Sequence, residues 1–323
     1  MKKIVVAGSG AFGTALAIAL ATGGNRVVLS ARDPRAAAEM QANRTNAAYL
    51  PNITFPQNLE ISAQASVLTS GDVILLAVPT QSLRAMVEKH RTELAGKTCV
   101  LCCKGVETGT GLLPSQTLAE IVPDANIAVL TGPGFAAEIA RGLPTALTLA
   151  ANGPDANGLQ TLLSTQTLRL YLSADPVGAQ LGGALKNVIA IASGIAIGAG
   201  LGESARAAVM TRGYAEMLRL AVNLGADPTT LSGLSGLGDL ALTCTSQQSR
   251  NFSLGHELGR GGGITEGTTF EGVATARATM TLAKRRGIEM PLTGIVTAVL
   301  EKDLTIGGAV KALLSRPLKA EGE

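Results

Sequence analysis

Aromatic side chains are scarce in this chain, at 2% of 323 residues, with three Tyr, five Phe and no Trp. Their scarcity removes the stacking platforms that hold single-stranded nucleic acids and the belts that anchor membrane spans. Charge is also sparse, at 16% against 46% hydrophobic residues, which excludes an intrinsically disordered chain. The excess of one sign is only +3, from 27 basic and 24 acidic residues. No broad field draws a polyanion, so nucleic acid is not expected as a partner and any anion site must be focal. Histidine occurs twice, at His90 and His256, and cysteine four times, at Cys99, Cys102, Cys103 and Cys244. Cys99 and Cys102 have the spacing of a metal or redox pair, but TCVLCCKG reads as a short apolar strand and no second CxxC follows. No metal is therefore expected, and a reducing compartment fits.

What is abundant is glycine, 39 residues of it, in a chain long enough for about two domains. Small side chains and close backbone approaches should dominate the packing. The opening Met1-Lys2-Lys3, an apolar run and Ala19-Leu20-Ala21 imitate a secretory signal. Gly8, Gly10 and Gly13, and a second strand-like run after Asn25, argue instead for a folded unit, and a cytoplasmic chain is expected. The sixteen uncharged residues between Lys186 and Glu203 fall short of the ~18 to 20 that cross a bilayer. They are also broken by glycines, so a buried core helix is expected rather than a membrane span.

From Ile4 to about Ser173, short apolar runs alternate with segments of helical period. The runs are Ile4–Ala7, Val27–Ser30, Val73–Val78, Cys99–Cys102, Ile127–Leu130, Ala146–Leu149 and Leu168–Leu172. Continuous apolar strands of this kind are buried on both faces, which predicts a parallel sheet covered by helices. Helices are expected over Gly13–Ala21, Pro34–Asn43, Ser82–His90 and Pro154–Leu163. After Pro176 the β-rich runs stop. Helices are expected from Val177 toward Gly200 and over Ala205–Leu224, Glu271–Arg286 and Thr293–Leu300, with a glycine-rich loop region across Gly233–Gly263 and a loose tail from Arg316. The fold class is thus α/β, with an N-terminal domain built on a parallel sheet at 1–175 and an all-α domain at 176–323.

Gly8-Ser9-Gly10-Ala11-Phe12-Gly13 follows the first strand and opens a helix. This is the fingerprint of a Rossmann-type dinucleotide turn. Gly8 allows the tight bend, Gly10 lets backbone approach a pyrophosphate, Gly13 lets helix and strand pack closely, and the helix start offers unpaired N–H groups. About twenty residues on, where an acid ordinarily holds the ribose hydroxyls, stand Arg32 and then Asp33. A guanidinium suits a 2′-phosphate, so NADPH is accepted beside NADH, with a solvated arginine at a helix start as the simpler reading. Val78-Pro79-Thr80, Lys104 and the Gly132-Pro133-Gly134-Phe135-Ala136 turn all follow strands and converge on the same edge.

Lys186 is the only charged side chain between Asp175 and Glu203, on a helix that must be buried. An unpaired buried ammonium costs several kcal/mol, so a lysine there either snorkels to the helix surface or is poised in a cleft, where desolvation brings it toward the working pH of an acid or base. Asp239, in an apolar glycine-rich stretch, is its expected partner. Ser249-Arg250-Asn251 begins a helix-like segment suited to clamp a phosphate, with an ordinary N-cap at Ser249 as the simpler reading. Glu271 opens a further helix.

These residues resemble the bacterial NAD(P)-dependent glycerol-3-phosphate dehydrogenase family. The likeness runs nearly end to end, through GxGxxGTALA, VPT at 78–80, CKGVE at 103–107, GPxFAAEI at 132–139, GALKNVIAIASG at 183–194, GLGDLALTCTS at 236–246, SRN at 249–251, EGV at 271–273 and EMPLT at 289–293. The resemblance implies interconversion of dihydroxyacetone phosphate and sn-glycerol 3-phosphate, serving phospholipid synthesis, by a homodimer using NADPH or NADH. It implies that Lys186 moves the proton, supported by Asp239 and Thr243. Substrate contacts fall on Lys104, Gly132, Gly134, Lys186, Asn187, Asp239, Ser249, Arg250 and Asn251. Cofactor contacts fall on Gly8, Gly10, Ala11, Phe12, Gly13, Arg32, Lys104, Ala136, Arg250, Thr269 and Glu271.

Three positions depart from the family pattern. Ala11-Phe12 replaces a common Ser-Trp, Gly134 replaces a common Ser, and Asp33 stands where a basic or neutral residue is usual. Taken without the resemblance, the residues also fit a dehydrogenase of a 3-hydroxy acid or a non-catalytic cofactor sensor. A sensor would need neither the isolated lysine nor a second anion clamp.

Overall fold

The computed structural model describes residues 2–263 and 270–315. Ten strands are present: β1 (Lys3–Ala7), β2 (Arg26–Ser30), β3 (Thr45–Asn46), β4 (Leu50–Thr54), β5 (Leu59–Ser62), β6 (Val73–Leu76), β7 (Thr98–Leu101), β8 (Asn126–Thr131), β9 (Thr145–Ala151) and β10 (Leu168–Ser173). Eight form one sheet in the order β10-β9-β8-β7-β6-β1-β2-β5, and β3 and β4 pair separately. Successive side chains of β1 show why the sheet is covered twice. Ile4 and Val6 join one apolar cluster with the helix Ala11–Thr22, while Val5 and Ala7 join another with Leu83, Leu94 and Leu118. Both faces are dry, which accounts for the unbroken apolar runs.

The sheet departs from the expected all-parallel arrangement at one place. β8 and β9 are antiparallel, whereas β9 and β10 are again parallel. The connection after β8 contains only the five-residue helix Ala136–Ala140, which rises about 8 Å. The chain re-enters the sheet from the end it left, without the long crossover helix that the parallel connections use. The edge strand Leu59–Ser62 and the β3–β4 pair were not expected, because these segments are short and mix exposed with buried positions rather than forming apolar runs.

β10 ends at Ser173 and a 23-residue helix begins at Pro176, capped by Asp175, whose Oδ1 accepts the Gly178 N–H at 2.8 Å. This helix, Pro176–Gly198, is long and apolar enough to span a bilayer, but every residue from Gly178 to Ala196 is buried inside the fold. Around it pack Glu203–Asn223, Asp239–Thr245, Arg250–Gly259, Glu271–Arg286 and Pro291–Leu300, and Ile306–Leu314 packs on the last of these.

The expectation of a loop region across Gly233–Gly263 is corrected. The segment holds a π-helical turn at Leu234–Gly238 and the helices Asp239–Thr245 and Arg250–Gly259. Gly236, Gly255 and Gly259 are packing surfaces, whereas Gly261, with φ +87°, turns the chain after the last of these helices. A Cβ on Gly255 would lie 2.0 Å from the Ile191 carbonyl oxygen, and one on Gly194 would lie 2.1 Å from that of Phe252. The two helices touch backbone to backbone, and only glycine permits that separation.

Candidate active site

The parallel strands end at a common edge, and the first loop there is the glycine turn. Gly8 has φ +121°, and a Cβ on it would stand 2.4 Å from the Ala77 carbonyl oxygen at the end of β6. A Cβ on Gly13 would stand 2.0 Å from the Gly8 carbonyl oxygen, whereas one on Gly10 would meet nothing within 4 Å. Two glycines are therefore consumed by packing, and the third leaves its face open to a ligand. Gly10 is the N-cap of the helix Ala11–Thr22 and supplies no side-chain cap, so first-turn N–H groups remain available to a pyrophosphate. Asn46 braces the turn, its Nδ2 donating to the Ser9 carbonyl at 2.8 Å and to Thr14 Oγ1 at 2.9 Å. No motif in the sequence marks Asn46 for this role.

Beyond β2, Arg32 is exposed, while Asp33 is occupied: its Oδ1 accepts the Arg35 N–H at 2.9 Å and caps the helix Pro34–Asn43. The residues of this edge fit an NAD(P) dinucleotide.

Three charged side chains from three elements meet opposite the turn. Lys186 and Asp239 are 6% and 1% exposed, and Lys186 Nζ donates to Asp239 Oδ1 at 2.5 Å and to Thr243 Oγ1 at 2.9 Å. Lys104 Nζ donates to the other carboxylate oxygen at 2.9 Å and to the Gly132 carbonyl at 3.0 Å. The same ammonium lies 5.3 Å from the centroid of the Phe12 ring, which ties the cation pair to the glycine turn. Asn187 Nδ2 donates to the Lys104 carbonyl at 3.3 Å. Burial pushes Lys186 down to about 8; Asp239 opposes that shift and the Lys104 charge adds to it. A lysine held there exists in both protonation states near neutral pH, as a proton carrier requires.

The far wall comes from the helices after residue 249. Ser249 Oγ accepts the Phe252 N–H at 3.2 Å, so its hydroxyl serves as an N-cap. Arg250 is exposed, and its guanidinium has no hydrogen-bond partner among the described residues. Asn251 is buried and its Oδ1 accepts the Gly272 N–H at 3.2 Å. Glu271 reaches across to the sheet edge, where Oε1 accepts the Thr80 N–H at 3.3 Å; burial raises its pKa, against the lowering effect of that N–H and of Arg250. Thr80 is thus a site residue that the VPT motif marked only as a turn. A Cβ on Gly134 would stand 3.0 Å from Ile139 Cδ1 and 3.1 Å from Thr145 Cγ2, a tight place for the serine common at this position. Gly132, with φ +137°, and Ala136, which begins a short helix, lie in the same loop. Thr269 lies outside the described residues. The histidines are elsewhere: His90 faces Glu93 and His256 stacks on Phe252. All four cysteines are buried and unbridged, with burial pushing Cys99, Cys102 and Cys244 up to about 12.

A dinucleotide turn at the carboxyl edge of a doubly covered sheet, faced by a buried lysine–carboxylate couple on an all-helical unit, defines a two-domain NAD(P)-dependent dehydrogenase. Residues 3–157 match the family model described as NAD-dependent glycerol-3-phosphate dehydrogenase N-terminus, and residues 175–311 match that of its C-terminus. The chain belongs to the NAD-dependent glycerol-3-phosphate dehydrogenases. It is 55% identical over 321 residues to glycerol-3-phosphate dehydrogenase [NAD(P)+] of Ruegeria sp. (strain TM1040), covering 99% of this chain and 100% of that one. The Roseobacter denitrificans protein of the same name is 53% identical over 320 residues, with the same coverage. Among solved structures, glycerol-3-phosphate dehydrogenase from Coxiella burnetii superposes with a TM-score of 0.93 at 38% identity, covering 98% of this chain and 99% of that one.

Proposed function

We propose that this chain interconverts dihydroxyacetone phosphate and sn-glycerol 3-phosphate, with residues 1–175 holding the nucleotide and 176–323 supplying the proton and most of the substrate contacts. Bound NADPH or NADH supplies the hydride that reduces C2 of the ketone. The protein's part is to orient the ketone, exclude water and deliver a proton to the oxygen as it becomes an alkoxide. Lys186 Nζ carries that proton. Asp239 and Thr243 hold it by the two hydrogen bonds at 2.5 and 2.9 Å. A positioned acid of this kind contributes on the order of 10²- to 10⁴-fold.

Lys104 shares the Asp239 carboxylate and adds positive charge beside the developing oxyanion. Asn187, Gly132 and Gly134 complete the wall around the ketone, the last two through main chain. Arg250 and Asn251, with the helix start capped by Ser249, take the phosphate of the substrate. Gly10, Ala11, Phe12 and Ala136 line the dinucleotide track, packed in place by Gly8 and Gly13, with Glu271 at its nicotinamide end; the family resemblance adds Thr269, which lies outside the described residues. Because Asp33 is engaged as a helix cap, Arg32 is the charged group left to face the adenosine ribose, so a 2′-phosphate is accepted.

The observation that carries this reading is the buried Lys186–Asp239–Thr243 cluster joined through Lys104 to Phe12 of the dinucleotide turn. The family resemblance further supports a cytoplasmic homodimer that supplies glycerol 3-phosphate for phospholipid synthesis.

The test is oxidation of NADPH and of NADH, side by side, with dihydroxyacetone phosphate as acceptor. Turnover is expected in the wild type and lost in Lys186→Ala, with nucleotide binding retained. Near-normal turnover in Lys186→Ala removes that residue from the mechanism.

A further inference from the structure

The helix that carries Lys186 meets the site at two adjacent glycines, and the two meetings differ in kind. A Cβ on Gly182 would stand 2.4 Å from the Ser235 carbonyl oxygen, 2.8 Å from its carbon and 3.0 Å from Gly236 Cα. All three are backbone atoms of the π-helical turn Leu234–Gly238, and Asp239 follows that turn directly. The turn has no room to retreat freely. Ser235 is fully buried, and a Cβ on Gly236 would stand 1.9 Å from the Leu231 carbonyl oxygen, so the turn is wound tightly on the segment that precedes it.

A Cβ on Gly183 would meet a side chain instead, with Thr131 Oγ1 at 2.4 Å and the next atoms at 3.5 Å or more. That hydroxyl has no hydrogen-bond partner among the described residues, so it can turn away without breaking a bond. Gly182 lies one helical turn before Lys186, on the same face. The separation between the two backbones at Gly182 is therefore the separation across which Lys186 and Asp239 meet.

We propose that Gly182 is a positioning residue: its bare Cα sets the distance between the Lys186 helix and the turn bearing Asp239, and so keeps one carboxylate within reach of both Lys186 and Lys104. An alanine there must drive Ser235 back from 2.4 Å to at least 3.0 Å, a retreat of about 0.6 Å. Misplacement of about 1 Å costs on the order of 10²-fold in turnover. The inference rests on the reading of Lys186 and Asp239 as the proton-handling pair.

The experiment compares wild type, Gly182→Ala and Gly183→Ala for kcat, KM, the pH profile of ketone reduction, NADPH affinity by fluorescence titration, and melting. The expected result is a kcat for Gly182→Ala lower by about 10- to 100-fold, with NADPH affinity kept within about threefold and cooperative melting retained. Gly183→Ala, whose obstacle is a rotatable hydroxyl, stays within about fivefold. The groups facing Lys186 are Asp239, Thr243, Lys104 and Cys244. With Asp239 withdrawn and the others in place, the falling limb of the profile moves to lower pH in Gly182→Ala. A purely structural defect would leave that limb unmoved.

Four results overturn the inference: Gly182→Ala within twofold of wild type, an unmoved limb, equal losses at both glycines, or a Gly182→Ala chain that no longer melts cooperatively or binds NADPH. The last would place Gly182 in general stability rather than in the placement of Asp239. An inactive wild type would instead fail the underlying reading of the site, so the two failures are told apart.

Discussion

Replacing Asp239 by Asn keeps the shape of the side chain and removes the charge that two ammonium groups share. In the wild type, Lys186 lies at about 8, so at pH 7.5 roughly three-quarters of it is protonated. An opposite charge in contact is worth about one to three pKa units, and Asp239 touches Lys186 at 2.5 Å and Lys104 at 2.9 Å. Taking two units, Lys186 falls to about 6 and only ~3% stays protonated at pH 7.5, a loss of about 25-fold in ketone reduction from protonation alone. Loss of the short hydrogen bond that aims Nζ adds to this, for a total on the order of 10² to 10³ in kcat. The assay is NADPH oxidation with dihydroxyacetone phosphate from pH 5.5 to 9, beside a nucleotide titration and a melting curve. The melting curve is needed because an uncompensated buried charge costs about 3–5 kcal/mol of stability. The distinctive expectation is partial recovery of Asp239→Asn relative to wild type as the pH is lowered toward 5.5. A falling limb still near 8, or a kcat within fivefold of wild type, would refute the argument that Asp239 sets the charge state of Lys186.

The two directions of the reaction should respond oppositely to pH. Reduction needs protonated Lys186 and declines as pH rises through about 8, whereas oxidation of glycerol 3-phosphate needs the neutral amine and climbs over the same interval; parallel profiles would contradict a single proton carrier. Arg250→Ala should lower kcat/KM for dihydroxyacetone phosphate by about ten- to hundredfold, from loss of a charged hydrogen bond worth about 1.5–3 kcal/mol, and an unchanged value would remove the phosphate clamp. Glu216, 3% exposed, accepts the Leu292 N–H at 2.5 Å, and the Thr293 N–H at 3.1 Å and hydroxyl at 3.0 Å. Glu216→Ala strands these donors at the start of the helix Pro291–Leu300 and should cost about 2–4 kcal/mol in urea unfolding; a change below about 0.5 kcal/mol would show that water or a shifted helix satisfies them.

Where a feature depends on neighbours within a few residues, it was legible in the chain. Period and burial mark β1, β2, β6 and β7 and the helices between them, because a strand sealed on both faces must read as an apolar run. The GSGAFG turn identifies itself by its place between strand and helix. Lys186 stands out because a lone charge in an apolar helix is costly unless it is paired and used. The choice of Asp239 as its partner followed from the same cost, applied to the other isolated charge.

Other features belong to the folded molecule alone. The reversal of β9 beside β8 is a matter of strand pairing, which an apolar run does not record. The bond from Lys104 to Asp239 joins residues 135 positions apart, and the bond from Glu271 to Thr80 joins residues 191 apart. No periodicity spans such intervals; they depend on which surfaces pack. The glycines of residues 233–263 show the same limit, since a glycine that breaks a chain and one that admits a neighbouring backbone are the same letter. Local burial pattern, written in the amino-acid order, determined the elements and the isolated charges. The packing of backbone against backbone, which exists only after folding, decided which of those charges meet.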